Sequence, residues 1–132
     1  MINSNGKLIS SFNEIPEGLI KNLHLHLSFL EVLRYENQTI LFWELHYFRI
    51  IAGLRRQRFE IPMNYTMEYL KAEVVKLMNF RFSKEKSALI KFQFIPYQDS
   101  IGFLMSYSEV KSFNEIESAE NYIVDLFKEG NI

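Results

Sequence analysis

The sequence predicts an α+β domain, a mostly antiparallel sheet with two helices packed on one face. Three observations predict it. Between residues 1 and 42, short segments of two-residue hydrophobic alternation are separated by turn signals. From Trp43 to about residue 79 the apolar spacing lengthens to that of helices, and from Ala88 the alternation returns. Strands, then helices, then strands again put the helices together against one sheet.

The 132 residues fall within the ~100–200 typical of one domain, so 1–132 reads as a single unit. Hydrophobic residues make up 48% and aromatic residues 15%, enough for a packed core. Twelve Phe and seven Tyr mean either an aromatic core or a surface that expects a partner.

The first element is a hairpin. Met1-Ile2 and Leu8-Ile9 flank Asn5-Gly6, a pair that tolerates positive φ at both positions of a tight loop. Residues 11–18, with Pro16 and Gly18, read as loop. Leu23-His24-Leu25-His26-Leu27 alternates strictly and predicts a strand that continues through Phe29–Leu33 to Tyr35. Glu36-Asn37-Gln38 is a turn signal, and Thr39–Phe42 is the return strand.

In the first helix Leu45, Phe48, Ala52 and Phe59 fall on one face, with Trp43, Tyr47, Ile51 and Leu54 beside it. So wide a stripe suits a helix lying on a sheet. Pro62 closes the segment, because proline disfavours helix in the residue before it. Thr66, whose hydroxyl can accept from an orphan backbone N–H, opens a second helix over 67–79, with Met67, Leu70, Val74, Leu77 and Met78 on one side. Ala88–Ile95 and Ile101–Val110 read as strands joined by a turn at Pro96–Ser100. The charged stretch Asn114–Asn121 then leads to a short strand, Tyr122–Phe127.

Fifteen basic and sixteen acidic residues leave a net charge of −1, which supplies no long-range field for nucleic acid. The dense run Arg55, Arg56, Arg58 closes a helical pattern, where cations complement the negative end of the macrodipole. The chain has no cysteine, so it builds no disulfide scaffold, thiolate nucleophile or cysteine zinc site. MINSNGKLIS has neither a basic nor an apolar signal region. Apolar runs reach only four to five residues, against the ~20 needed to cross a bilayer. A cytoplasmic protein without membrane contact is the expectation.

Chemistry is scarce. His24-x-His26 puts two imidazoles on one face of the predicted strand, but His46 lies on a helix and no third ligand is evident. Zinc needs three or four donors converging at ~2 Å, so two outward polar residues explain the pair better. No nucleophile elbow appears. Gly53 and Gly102 are isolated, which excludes a glycine-rich phosphate loop. Glu115 and Glu117 sit in a polar stretch and read as solvated surface. The residues alone therefore predict an α+β domain with no catalytic set and no metal site.

Leu30-Glu31-Val32-Leu33, a turn, Ile40-Leu41-Phe42-Trp43-Glu44 and then His46-Tyr47-Phe48-Arg49-Ile50 resemble the small N-terminal domain of class IV (fold-type IV) pyridoxal-phosphate enzymes. These include branched-chain and D-amino-acid aminotransferases and aminodeoxychorismate lyase. The family pattern is a Gly-Asp-Gly strand entry, an aromatic-Glu pair, a hairpin and a helix bearing His-x-x-Arg-Leu. Phe59–Glu68 is similar to the stretch joining the family's first two helices. Ile90-Lys91-Phe92 with Gly102-Phe103 resembles its paired late strands, and Tyr122–Lys128 the segment leading to the large domain. The likeness spans nearly the whole chain, and residues 46–50 carry its most specific motif.

The resemblance implies that Arg49 contacts the cofactor phosphate, a role that suits a planar guanidinium fork. The alternative is that Arg49 anchors the helix through a carboxylate such as Glu31. The chain departs from the pattern at two places. His26-Leu27-Ser28 replaces Gly-Asp-Gly, and Leu30 stands where the family has an active-site aromatic. The family's Schiff-base lysine belongs to the large domain, beyond Ile132, and none of the nine lysines here (7, 21, 71, 76, 84, 86, 91, 111, 128) matches it. Pyridoxal-phosphate chemistry needs that amine and an acid facing the pyridine nitrogen. The expectation is a domain that has no catalytic residue and binds no cofactor alone. It would act as a homo-oligomer or through a protein partner covering exposed apolar surface. The alternative is half of a split or truncated aminotransferase or lyase, completed by another chain.

Overall fold

A computed structural model describes residues 1–24, 28–80 and 86–111. Its strands are β1 (Ile2–Ser4), β2 (Lys7–Ile9), β3 (Phe29–Glu36), β4 (Thr39–Ile40), β5 (Ser87–Tyr97) and β6 (Ser100–Val110). Its helices are α1 (Glu17–His24), α2 (Trp43–Arg56) and α3 (Met67–Met78). The strands form a six-stranded sheet in the order β2-β1-β6-β5-β3-β4, with every adjacent pair antiparallel.

Three turns set the registers. Asn5-Gly6, Asn37-Gln38 and Gln98-Asp99 all take positive φ and close the pairs Ser4↔Lys7, Glu36↔Thr39 and Tyr97↔Ser100. Positive φ at both loop residues matches the right-handed twist of the flanking strands. Only the first loop contains glycine, at Gly6. β5 runs on through Pro96 and Tyr97, past the predicted end at Ile95. Proline is tolerated there because β3 pairs with β5 only as far as Phe94, so the missing N–H breaks no ladder on that side.

Alternation sorts side chains to two faces. Phe92 and Phe94 of β5, with Phe103 and Met105 of β6, join α2 and α3 in the main core, while Ile95 and Leu104 join Leu19 of α1 in a second cluster. α2 and α3 therefore share one face as expected, and α1 covers part of the other. Residues 17–24 are helical where the sequence predicted loop and then strand. The i, i+4 pair Leu19 and Leu23 turns toward Ile95 and Leu104, and Asn22 Nδ2 donates to the Pro96 carbonyl at 2.6 Å. Tertiary packing of one apolar edge outweighs the local alternation. Gly102 permits the approach, since a Cβ there would stand 2.9 Å from Leu19 Cδ2.

α3 matches its predicted span and face. Thr66 Oγ1 accepts from the Tyr69 N–H at 3.1 Å, and Leu70, Val74, Leu77 and Met78 are buried. α2 starts at Trp43 as expected but ends at Arg56, short of Phe59 and of the expected stop at Pro62. Its buried face is Trp43, His46, Ile50, Gly53 and Leu54, whereas Leu45 and Phe48 are exposed. The predicted return strand shrinks to Thr39–Ile40, because Phe42 turns into the left-handed region (φ 57, ψ 37) to start α2. Among the described residues no helix is long and apolar enough to cross a membrane.

Candidate functional site

β3 and α2 bring Glu31, His46 and Arg49 together. Glu31 sits on the β3 face that points toward α2, in phase with Leu33 and Tyr35 of the main core. His46 and Arg49 are one helical turn apart, so both can reach a carboxylate beneath the helix. His46 Nδ1 lies 2.6 Å from Glu31 Oε2, and Arg49 donates from Nε to the same oxygen at 2.9 Å. Arg49 Nη2 approaches the other carboxylate oxygen, Oε1, at 3.5 Å.

The cluster is buried at its centre. The Glu31 and His46 side chains are almost fully buried, while that of Arg49 keeps 22% of its surface. Because the carboxylate accepts, the proton of the short bond belongs on His46 Nδ1. Nε2 of the same ring is buried without a hydrogen-bond partner among the described residues. A buried carboxylate flanked by a guanidinium and an imidazole N–H has the compensation that burial demands.

Arg49 thus meets Glu31 as the sequence allowed, and its fork is turned toward a carboxylate. The guanidinium's shape and partial exposure fit a phosphate group. The adjacent carboxylate offsets part of its charge. The His46–Glu31 bond was not foreseen, although the His46-x-x-Arg49 spacing opposite an inward-facing Glu31 carries its signal.

Among the described residues the others singled out form no further cluster of this kind. His24 ends α1, a helix where a strand was expected, and His26 lies outside the described residues. So do Glu115, Glu117 and the predicted strand Tyr122–Phe127. Among the described residues no group of His, Asp and Glu could hold a metal ion. Gly53 lets α2 approach β3, since a Cβ there would overlap the ring of Phe29. Arg55, Arg56 and Arg58 are exposed at and just past the end of α2.

No family model and no curated protein matches the sequence. The fold does match solved structures. Branched-chain amino acid aminotransferase from Escherichia coli superposes with a TM-score of 0.65 at 15% identity, over 81% of this chain and 40% of that one. A second structure of an E. coli branched-chain amino acid aminotransferase gives 0.64, 15%, 81% and 39%. The chain thus spans about 40% of the length of the aminotransferases it matches. At this identity the likeness speaks for architecture, and the architecture is that of the class IV aminotransferase-like small domain.

Proposed function

We propose that this domain is non-catalytic by itself and works through contacts with protein, as a homo-oligomer or with a dedicated partner. The observation that carries the reading is the engagement of Arg49 by Glu31. The one residue that the family resemblance assigns to a cofactor phosphate has its fork occupied by a carboxylate from its own domain. Exposed Leu30 on β3 and exposed Leu45 and Phe48 on α2 support the second half of the reading, because large apolar side chains left at a surface favour burial against another molecule.

The alternative draws on the 40% coverage of the aminotransferase chain. A second chain carrying a lysine would complete a pyridoxal-phosphate enzyme, and Arg49 would then meet the cofactor phosphate while Glu31 and His46 hold its guanidinium in place. Such a cofactor supplies an electron sink for carbanions. Titration with pyridoxal phosphate tests both readings. The non-catalytic reading expects no new visible absorbance band with the chain alone or with the products of neighbouring genes. It also expects light scattering to report a mass above that of one chain, or co-purification to yield a defined partner. A band that appears with a neighbouring product and disappears on Arg49→Ala establishes the split enzyme instead.

A further inference from the structure

We propose that the open edge of β3 and the outer flank of α2 form one docking surface for an extended segment of another protein, apolar along its length and acidic at one end. The proposal rests on the protein-contact reading and names the chemistry of the contact.

β4 covers little of β3. It pairs only with Tyr35 and Glu36, and the Leu41 N–H then donates to the Arg34 carbonyl at 2.8 Å. Main-chain groups alternate sides along a strand, so Val32 and Leu30 also aim their N–H and C=O outward. No strand lies beyond them among the described residues. Folded proteins normally cover, shorten or charge such an edge. Here Leu30, 46% exposed, stands beside it.

The flank above the edge is apolar too. α2 packs on β3, and α3 lies over β1 and β6. Tyr47, whose hydroxyl donates to the Tyr65 carbonyl at 2.9 Å, marks the side of α2 that faces α3. Helical spacing puts Leu45 and Ala52 on the opposite side, toward the β3 edge, with Phe48 at the crest, and Phe42 precedes them as the N-cap. Phe42, Leu45 and Phe48 are 45%, 46% and 56% exposed. Phe42 is exposed from a left-handed backbone conformation (φ 57) that bulky residues rarely take.

Charge selects the occupant. The C-terminal end of α2 lies over the start of β3, where Gly53 meets Phe29. Arg55, Arg56 and Arg58 gather at that end, exposed and without an ion pair among the described residues. A strand added to β3 would complete its main-chain bonds and send alternate side chains to Leu30 on one side and Leu45 on the other. Carboxylates at its end would then meet the arginines. A second copy fits less well, because a two-fold contact presents the same patch from both sides. The acidic residue of α2, Glu44, lies on the helix side away from the edge.

Selection of a random phage-displayed peptide library on the immobilised full chain, followed by fluorescence anisotropy with the winning peptide, tests this. The expected winners alternate apolar residues and carry Asp or Glu at one end. Leu45→Glu, Arg55→Glu with Arg56→Glu, and Val32→Pro should each weaken binding by about tenfold or more, while Met63→Ser, at the exposed α2–α3 loop, should not. The Val32 N–H serves no described bond within the domain, and circular dichroism checks that each variant stays folded. Winners without acidic residues, or equal enrichment on the Leu45→Glu protein, overturn the proposal. So does a homodimer that Leu45→Glu dissociates, which would leave the protein-contact reading standing. Failure of that reading shows separately, as a visible band with pyridoxal phosphate.

Discussion

Glu31 and His46 face each other across the β3–α2 interface at 2.6 Å, both buried, with Arg49 on the same carboxylate oxygen. Removing the shared acceptor strips His46 Nδ1 of its buried carboxylate and breaks the Arg49–Glu31 pair. Glu31→Ala should therefore destabilise the domain by about 3 kcal/mol, the cost typical of breaking a buried pair on one side, moderated by the partial exposure of Arg49. His46→Phe should cost less, because it removes one donor together with an Nε2 that has no partner among the described residues, and leaves the Arg49 pair in place. Urea midpoints measured at equal slope test the order. Were His46→Phe the more damaging, the centre of the cluster would be His46 rather than Glu31.

Gly53 makes a second, steric claim. A Cβ at this position would overlap Cε1, Cζ and Cδ1 of Phe29, and both residues belong to elements that pack tightly. Gly53→Ala should cost about 1–3 kcal/mol, as overpacking does, even though alanine favours helix by about 1 kcal/mol. Pairing it with Phe29→Ala should recover part of the loss. A double-mutant cycle by chemical denaturation reads the coupling directly. Additive effects would mean that α2 simply lifts from the sheet.

Much of the fold was legible because local and tertiary preferences agree. Asn5-Gly6 supplies its own hairpin geometry, and Thr66 caps α3 one turn ahead of its buried stripe. Where they disagree, reading failed for identifiable reasons. Around α1, alternating leucines and histidines mimic a strand. The deciding contacts, Leu19 on Gly102 and Asn22 on the Pro96 carbonyl, come from the far end of the chain. On α2 an almost continuous apolar surface hides which side is buried. That choice follows from a glycine and a histidine, Gly53 and His46, which hydropathy ranks below the exposed Leu45 and Phe48. The Arg49–Glu31 pair was legible as one of two options, and only the geometry of β3 against α2 brings the two side chains together.

The β5–β6 loop carries a correctable strain. Gln98 and Asp99 take φ of 49 and 59, a left-handed conformation that costs a residue with a Cβ roughly 1–2 kcal/mol. The first hairpin meets the same requirement with glycine at position 6. Gln98→Asn with Asp99→Gly should raise stability by about 0.5–1 kcal/mol, after allowing for the unfolded-state entropy of the added glycine. Thermal midpoints would rise by a few degrees. A fall would show that the Asp99 carboxylate contributes more to the loop than its backbone costs.

The last expectation concerns alkaline pH. Tyr65 is held far above the ordinary phenol range, first by burial and then by neighbouring Tyr69. Its ring packs between Tyr69 and Phe94, at centroid distances of 6.1 Å and 5.9 Å. Tyr69 is shifted in the same direction, by burial and then by Glu73, with Lys76 opposing. A phenol whose folded value is raised favours folding only while the unfolded chain also keeps its proton. The stability it contributes is complete below about pH 10, where unfolded tyrosine begins to ionise, and declines as pH climbs from there toward the folded value. Urea midpoints should thus be insensitive to Tyr65 ionisation at neutral pH and fall progressively above pH 10. Tyr65→Phe should flatten that fall while costing little at neutrality, because the hydroxyl reaches the Ile101 carbonyl only at 3.4 Å. Identical alkaline slopes for the two proteins would place the base-sensitive group elsewhere in the fold.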